Sequence, residues 1–264
     1  MKTDLTGSLA VVTGAADGIG RAIAHALWQD GASIAAVDIK SVDPALVCTT
    51  PGIAGQAFGA FRCDASKSDQ IAAACASITQ AMGPAAILVN NVGGGGSDPD
   101  NDVATQTDAE WDFVVSVTLS AAMRFCRGLV PGMRARRKGR IVNISSSLKG
   151  GVFGKVGTVR GRLPYVTSKM GLIGLTGQLA NDLGPDGITV NTVCPGLTLP
   201  GPDARITQRF MAMPEDERAR FYAQTPLGRL ATGEDIASAV QFLVSDAAGF
   251  VTGETLTVAG GALR

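Results

Sequence analysis

Tyr165 and Lys169 stand four residues apart in Tyr165-Val-Thr-Ser-Lys169, a stretch that opens a helix. Side chains at that spacing share a helix face, so the Lys169 ammonium can lie near the Tyr165 phenol and favour its ionised form. An unperturbed tyrosine, with a pKa of about 10, is a poor base near neutrality, and nearby positive charge brings it towards a working range. The pair is therefore a candidate for proton transfer. Upstream, Arg140-Ile-Val-Asn-Ile-Ser-Ser-Ser147 reads as a buried strand whose terminal serines can hold a reacting oxygen. A Tyr-x-x-x-Lys pattern also occurs on ordinary helix surfaces, so its meaning depends on the elements around it.

The first of these is a strand, a glycine turn and a helix. Leu9 to Thr13 is a short apolar run, Gly14-Ala-Ala-Asp-Gly18-Ile-Gly20 follows, and Arg21 to Asp30 has helical spacing with Gly31 as its stop. Glycines there let a diphosphate approach the backbone while the helix N-terminus offers free N–H groups to its charge. Ser33 to Asp38 is a second apolar strand. Its closing carboxylate can accept hydrogen bonds from adenosine ribose hydroxyls, although a polar strand terminus is the plainer reading.

The alternation continues. Gln56 to Cys63 is expected as a third strand ending at Asp64, Ser68 to Met82 as a helix stopped by Gly83-Pro84, and Ala86 to Asn90 as a fourth strand. Thr107-Asp-Ala-Glu110 is a capping box for a long helix from Asp108 to about Arg136, whose basic end complements the helix dipole. Gly187 to Val193 is a sixth strand closing on Cys194-Pro-Gly196. Leu197 to Pro226 shows no clear strand, and a helix from Glu234 to Val244 and a strand from Thr255 to Val258 complete the chain. Strands separated by helices throughout imply one parallel sheet covered on both faces, with ligands at the carboxyl ends of its strands. No repeat or linker divides the 264 residues, so a single domain is expected.

Composition narrows the function. Basic and acidic residues balance at 23 each, which disfavours nucleic acid and acidic membranes as partners. Five scattered cysteines without Cys-x-x-Cys spacing read as a reduced, cytoplasmic protein without a zinc site. The single histidine, His25, is expected to pack, which leaves no His-based triad and no metal site. No signal core and no apolar run long enough to span a bilayer are read from the sequence.

Taken together, Thr13-Gly-Ala-Ala-Asp-Gly-Ile-Gly20, Asn90-Asn-Val-Gly93, Ile141-Val-Asn-Ile-Ser-Ser146, Tyr165-x-x-x-Lys169 and Cys194-Pro-Gly196 resemble the short-chain dehydrogenase/reductase family over essentially the whole chain. The resemblance implies a single-domain, Rossmann-type, doubly wound α/β fold over residues 1–264, with a substrate lid at about 197–226. It implies Tyr165 as the general acid/base, Lys169 as the residue that binds the nicotinamide ribose and lowers the tyrosine pKa, and Ser146 as the substrate hydrogen-bonding group, with Ser145 and Ser147 as alternatives. Gly14, Gly18 and Gly20 would surround the diphosphate, with Asp17 and Ile19 of the same turn among the cofactor contacts. Asp38 would hold the adenosine ribose and Asp64 would flank adenine. Asn91 to Gly93 would line the cofactor, and the backbone past Pro195 and Gly196, near Leu197 and Thr198, would hold the carboxamide.

Three departures from the family pattern stand out. Thr118 occupies the position of a usual asparagine, where the main-chain carbonyl holds a water of the proton relay. The segment between Ser146 and Tyr165 carries surplus residues over 149–162, and a loop insertion need not move its ends. Ala259-Gly-Gly261 replaces a common Asp-Gly-Gly.

The leading expectation is an NAD-dependent oxidoreductase acting on a compact, mainly apolar secondary alcohol or ketone beneath an apolar lid. An anionic substrate held by Lys155, Arg160 or Arg162 of the insertion is the rival. The alternatives in function are an NADPH-linked ketoreductase of the fatty-acid type, disfavoured by Asp38 and favoured only by Lys40, and a catalytically silent nucleotide-binding protein. By resemblance, the assembly is a homotetramer pairing the long helix and the Tyr-bearing helix. Val114, Val117, Ala121 and Phe125 recur at helical spacing, as they also would for packing on the sheet.

Overall fold

The computed structural model describes residues 3–94, 102–151 and 162–262. The strands are β1 (Leu9–Thr13), β2 (Ser33–Asp38), β3 (Phe58–Arg62), β4 (Ile87–Asn90), β5 (Gly139–Ile144), β6 (Ile188–Pro195), β7 (Thr198–Leu199), β8 (Ala231–Thr232) and β9 (Thr255–Val258). The helices are α1 (Gly18–Gln29), α2 (Ser68–Met82), α3 (Asp108–Val115), α4 (Ala121–Arg136), α5 (Arg162–Leu183), α6 (Arg205–Met211), α7 (Glu215–Ala223) and α8 (Gly233–Val244). Seven strands form one parallel sheet in the order β3-β2-β1-β4-β5-β6-β9, and β7 pairs with β8 in a separate ladder.

The strand period of two sorts the core into two halves. Ala10 and Val12 of β1 face one way, with Ile34 and Ala36 of β2, and meet Ile23 and Leu27 of α1 and Ile236 and Val240 of α8. Val11, Val37, Leu88 and Ile141 face the other way, onto Ile71 and Ile78 of α2 and Phe125, Leu129 and Met133 of α4. Phe125 is fully buried, and truncation to alanine there is worth about 3–5 kcal/mol. Because β1 lies between β2 and β4, the chain leaves in opposite directions from its carboxyl end, and a crevice opens there.

Several sequence expectations shift. The third strand is shorter than Gln56 to Cys63, and the serine-ended strand stops at Ile144, leaving Ser145 in the connection, Ser146 as N-cap and Ser147 as the first residue of a 3-10 turn. The 197–226 stretch holds β7 at its base and then α6 and α7, of 7 and 9 residues. Helices so short and polar carry no apolar stripe to read. Asp108–Arg136 is a continuous helix of 29 residues, α3 and α4 joined by a π turn at Ser116–Ser120, and by length and composition it could cross a bilayer. That corrects the expectation that no such run exists, although Phe125, Leu129 and Met133 bury it against the sheet. Val114, Ala121 and Phe125 are buried within this chain and Val117 partly so, and Val117, Ala121 and Phe125 pack with the core on the α2 side of the sheet.

Candidate active site

The turn between β1 and α1 is built for close approach. Gly14 and Gly18 have φ of 68° and 62°, and a Cβ on Gly20 would lie 2.0 Å from the Gly14 carbonyl oxygen. Only glycine lets α1 start this near the turn. Asp17, the N-cap, makes no side-chain capping bond and no acidic residue occupies the first helical turn, which leaves N–H groups and the positive helix end for an anion. Asn91 braces the neighbouring loop: its Nδ2 donates to the Thr13 and Gly14 carbonyls at 3.0 and 3.2 Å, and Thr13 Oγ1 accepts from the Asn91 and Val92 N–H groups. This cradle fits a dinucleotide diphosphate, and Ile19 of the same turn is half-buried against the core.

Asp38 lies beside the same turn. Its Oδ2 accepts from Ala16 N–H at 3.0 Å and its Oδ1 from Lys40 N–H at 2.9 Å, which fixes the carboxylate at the end of β2. The Lys40 ammonium turns to Asp17, 2.6 Å away, and that hydrogen bond holds its pKa above the ordinary lysine value. Asp64 accepts from both the hydroxyl and the N–H of Ser66, which keep its carboxyl below the usual range. Arg62 is registered opposite Asp38 on β3 and donates to the Ile39 carbonyl.

Across the crevice, Ser146, Tyr165 and Lys169 come together. Lys169 Nζ donates to the Ile144 carbonyl at 2.7 Å and lies 5.6 Å from the centre of the Tyr165 ring. Ser145 Oγ donates to the Lys169 carbonyl at 2.7 Å, locking α5 to the strand end. Ser145 is thus committed to the backbone, while Ser146 is hydrogen-bonded to Tyr165. Ser146 Oγ already accepts from Leu148 N–H, which leaves its own hydrogen for the phenol oxygen.

The electrostatics differ from the expectation. Desolvation pushes the Tyr165 phenol above its ordinary value, with the Ser146 bond pulling the other way. Burial also brings Lys169 down to about 8. At Tyr165 the phenol's own desolvation is the larger cause, so the fold by itself raises the tyrosine pKa rather than lowering it.

Thr118, fully buried in the π turn, accepts from Gly94 N–H at 3.3 Å through its hydroxyl, and a Cβ on Gly93 would lie 3.3 Å from both Lys169 Nζ and Thr118 Cγ2. Its side chain therefore shapes the cleft floor, a contribution sequence reasoning missed by assigning the position to a carbonyl. Also missed was a buried chain behind the site: Asn90 donates to Asn143, Asn143 to Thr176, and Thr176 shares a hydrogen bond with Thr192. It ties β4, β5, α5 and β6 together at the level of the site, and the asparagines of the Asn90-Asn and Val142-Asn143 patterns were its only signal.

Next to Ser147 is a shallow, open pocket, lined also by Gly196, Leu197, Phe221, Gln224, Thr225, Leu230, Ala231, Ala259 and Ala262. Gly196 donates its N–H to the Val258 carbonyl and accepts from the Thr198 hydroxyl, which settles the stretch past Pro195 against β9. Ala259 abuts Gly196 and forms pocket wall, which is where the departure from Asp-Gly-Gly falls. Of the apolar residues at 197–226, Leu197 and Phe221 reach the pocket. Phe210 instead packs edge-on against Phe221 and Tyr222, and Met211 is exposed. Lys155, Arg160 and the side chain of Arg162 lie outside the described residues. His25 is a packing residue, its Nδ1 2.8 Å from the Val47 carbonyl oxygen.

A family model described as enoyl-(acyl carrier protein) reductase matches residues 14–262. A 3-oxoacyl-[acyl-carrier-protein] reductase, FabG, of Pseudomonas aeruginosa is 37% identical over 257 residues, 97% of this chain and 98% of that one. Among solved structures, a putative short-chain alcohol dehydrogenase from Sinorhizobium meliloti superposes with a TM-score of 0.84 at 31% identity, covering 99% of this chain and 98% of that one. A putative gluconate dehydrogenase from Agrobacterium tumefaciens gives 0.83 at 29% identity, over 100% and 99%. These descriptions span thioesters, alcohols and a sugar acid, so likeness alone names no substrate. With the glycine turn, the seven-stranded parallel sheet and the Ser-Tyr-Lys grouping in place, the chain belongs to the short-chain dehydrogenase/reductase family of nicotinamide-linked oxidoreductases.

Proposed function

We propose that this oxidoreductase uses NAD and acts on a compact, mainly apolar secondary alcohol or its ketone. The observation that carries the reading is the convergence of Ser146, Tyr165 and Lys169, with the adjoining Ser147 lining a pocket to which Leu197, Phe221 and Leu230 contribute apolar walls. When bound, the nicotinamide supplies the hydride acceptor or donor. The Ser146 and Tyr165 hydroxyls hold the substrate oxygen between them. In oxidation the substrate O–H proton passes to the Tyr165 phenolate oxygen, and in reduction the phenol returns it. Lys169, largely protonated below its value of about 8, places positive charge over the Tyr165 ring, 5.6 Å from its centre, and keeps hydrogen-bonding capacity for a ribose hydroxyl. Because desolvation favours the protonated phenol, reduction is supported at neutral pH and oxidation rises with pH.

Asp38 supports NAD over NADP. Its carboxylate is fixed where ribose hydroxyls can donate to it and a 2′-phosphate is repelled, and the nearby Lys40 is already paired with Asp17. Two hydrogen bonds to a charged acceptor at roughly 1.5–3 kcal/mol each give at least about a hundredfold preference in kcat/KM. Equal kcat/KM with the two cofactors, over a panel of secondary alcohols followed by reduced-nicotinamide absorbance, would refute it. The likeness to FabG favours a second reading, a 3-oxoacyl thioester reductase, and an acyl thioester outcompeting every simple ketone would establish it. On either reading the protein is a cytoplasmic homotetramer.

A further inference from the structure

The stretch proposed as a lid leaves and re-enters the body at a narrow base, where Thr198–Leu199 pairs with Ala231–Thr232. At its return end Arg229 forks onto Asp235 of α8. At its leaving end it is tied to a different helix. Arg21, in the first turn of α1, donates through Nη1 to Asp203 Oδ2 at 2.8 Å and through Nη2 to Asp203 Oδ1 at 3.0 Å, a two-point fork. The guanidinium is mostly sheltered, with 16% of its side chain exposed against 56% for Asp203, so the cation belongs to the body and the lid brings the anion.

The chain passes tightly over this pair. Gly201 has φ of 154°, and a Cβ there would sit 3.1 Å from Asp203 Oδ1 and 3.5 Å from Arg21 Nη2. Pro200 wedges between the two helix starts, its ring 3.7 Å from where a Gly18 Cβ would be and 3.4 Å from where a Gly233 Cβ would be. Lifting the lid from this end therefore means opening the Arg21–Asp203 fork or disturbing the first turn of α1, the same turn whose N–H groups face the anion cradle.

We infer that Arg21 and Asp203 are positioning residues whose ion pair clasps the lid to the dinucleotide turn, so that lid order and dinucleotide binding strengthen each other. The inference rests on the reading of that turn as the cofactor seat. Linkage makes the coupling reciprocal: a dinucleotide that orders the turn steadies the lid, and loosening the lid weakens the dinucleotide.

The test compares wild type, Asp203→Asn, Arg21→Gln and the double variant in two measurements: NAD⁺ and NADP⁺ affinity by calorimetry, and the rate of tryptic cleavage after the exposed Arg209 and Arg220. Each single substitution should speed lid cleavage about threefold or more, with the double variant no faster than the faster single. Asp203→Asn, remote from the seat itself, should weaken the dinucleotide about three- to fivefold, the scale of one well-formed surface pair. Asp216→Asn, which breaks a pair internal to the lid, should leave affinity unchanged. Singles that cleave and bind like wild type, or effects that simply add, overturn the clasp. Wild type that binds neither dinucleotide overturns the cofactor seat as well, so the two failures are told apart.

Discussion

Lys169 is the residue at which function opposes stability. A lysine whose pKa falls from 10.5 unfolded to about 8 folded holds fewer protons in the native state across that window, so its penalty is full below pH 8 and fades as pH rises towards 10.5. Tyr165, raised in the fold, acts in the opposite sense only above pH 10. Lys169→Met should therefore abolish turnover while unfolding at a temperature equal to or several degrees above wild type at pH 7, with the advantage shrinking by pH 10. A clear loss of Tm at pH 7 would contradict this. The sequence made the Tyr165–Lys169 pair legible through spacing alone. The direction of the shifts was not legible, because desolvation depends on what β5, β6 and the π turn pack around the pair.

At the scale of elements, the glycine turn was readable because each glycine has a local cause. Gly20 is the sharpest case: Gly14 O is main chain and cannot swing away from an added Cβ 2.0 Å distant. Gly20→Ala should shift α1 off the turn, eliminate dinucleotide binding measured by calorimetry and lower Tm by several degrees. Binding at wild-type strength would show that the turn does not seat the cofactor. What escaped sequence reasoning depends on partners distant in the chain. The π turn at Ser116–Ser120 puts Thr118 under Gly93 and Gly94, and the Asn90–Asn143–Thr176 chain follows from strand register, which no local pattern encodes. Helices α6 and α7 were hidden for the opposite reason, since they offer too little apolar surface to set a period.

For the whole molecule, alternating strands and helices announced a parallel sheet covered on both faces, while the strand order emerged only from the assembled fold. The apolar residues left over differ from those the helical spacing suggested. Phe113, Met123 and Met170, on α3, α4 and α5, are 52%, 40% and 46% exposed, whereas Val114, Ala121 and Phe125 are consumed by the core. Exposed apolar side chains on these helices suit the expected pairing of helices between subunits. Light scattering at micromolar concentration should give a tetramer that Met123→Glu with Met170→Glu reduces to smaller species, and a wild-type monomer would contradict the assembly. The chemistry is tested most directly by one comparison, steady-state turnover of wild type and Tyr165→Phe with NAD⁺ and the best secondary alcohol of a panel, alongside NAD⁺ affinity. Removing the phenol oxygen should lower kcat by about 10²–10⁴-fold with affinity nearly unchanged. Turnover of the variant within a few-fold of wild type would mean that Tyr165 does not transfer the proton.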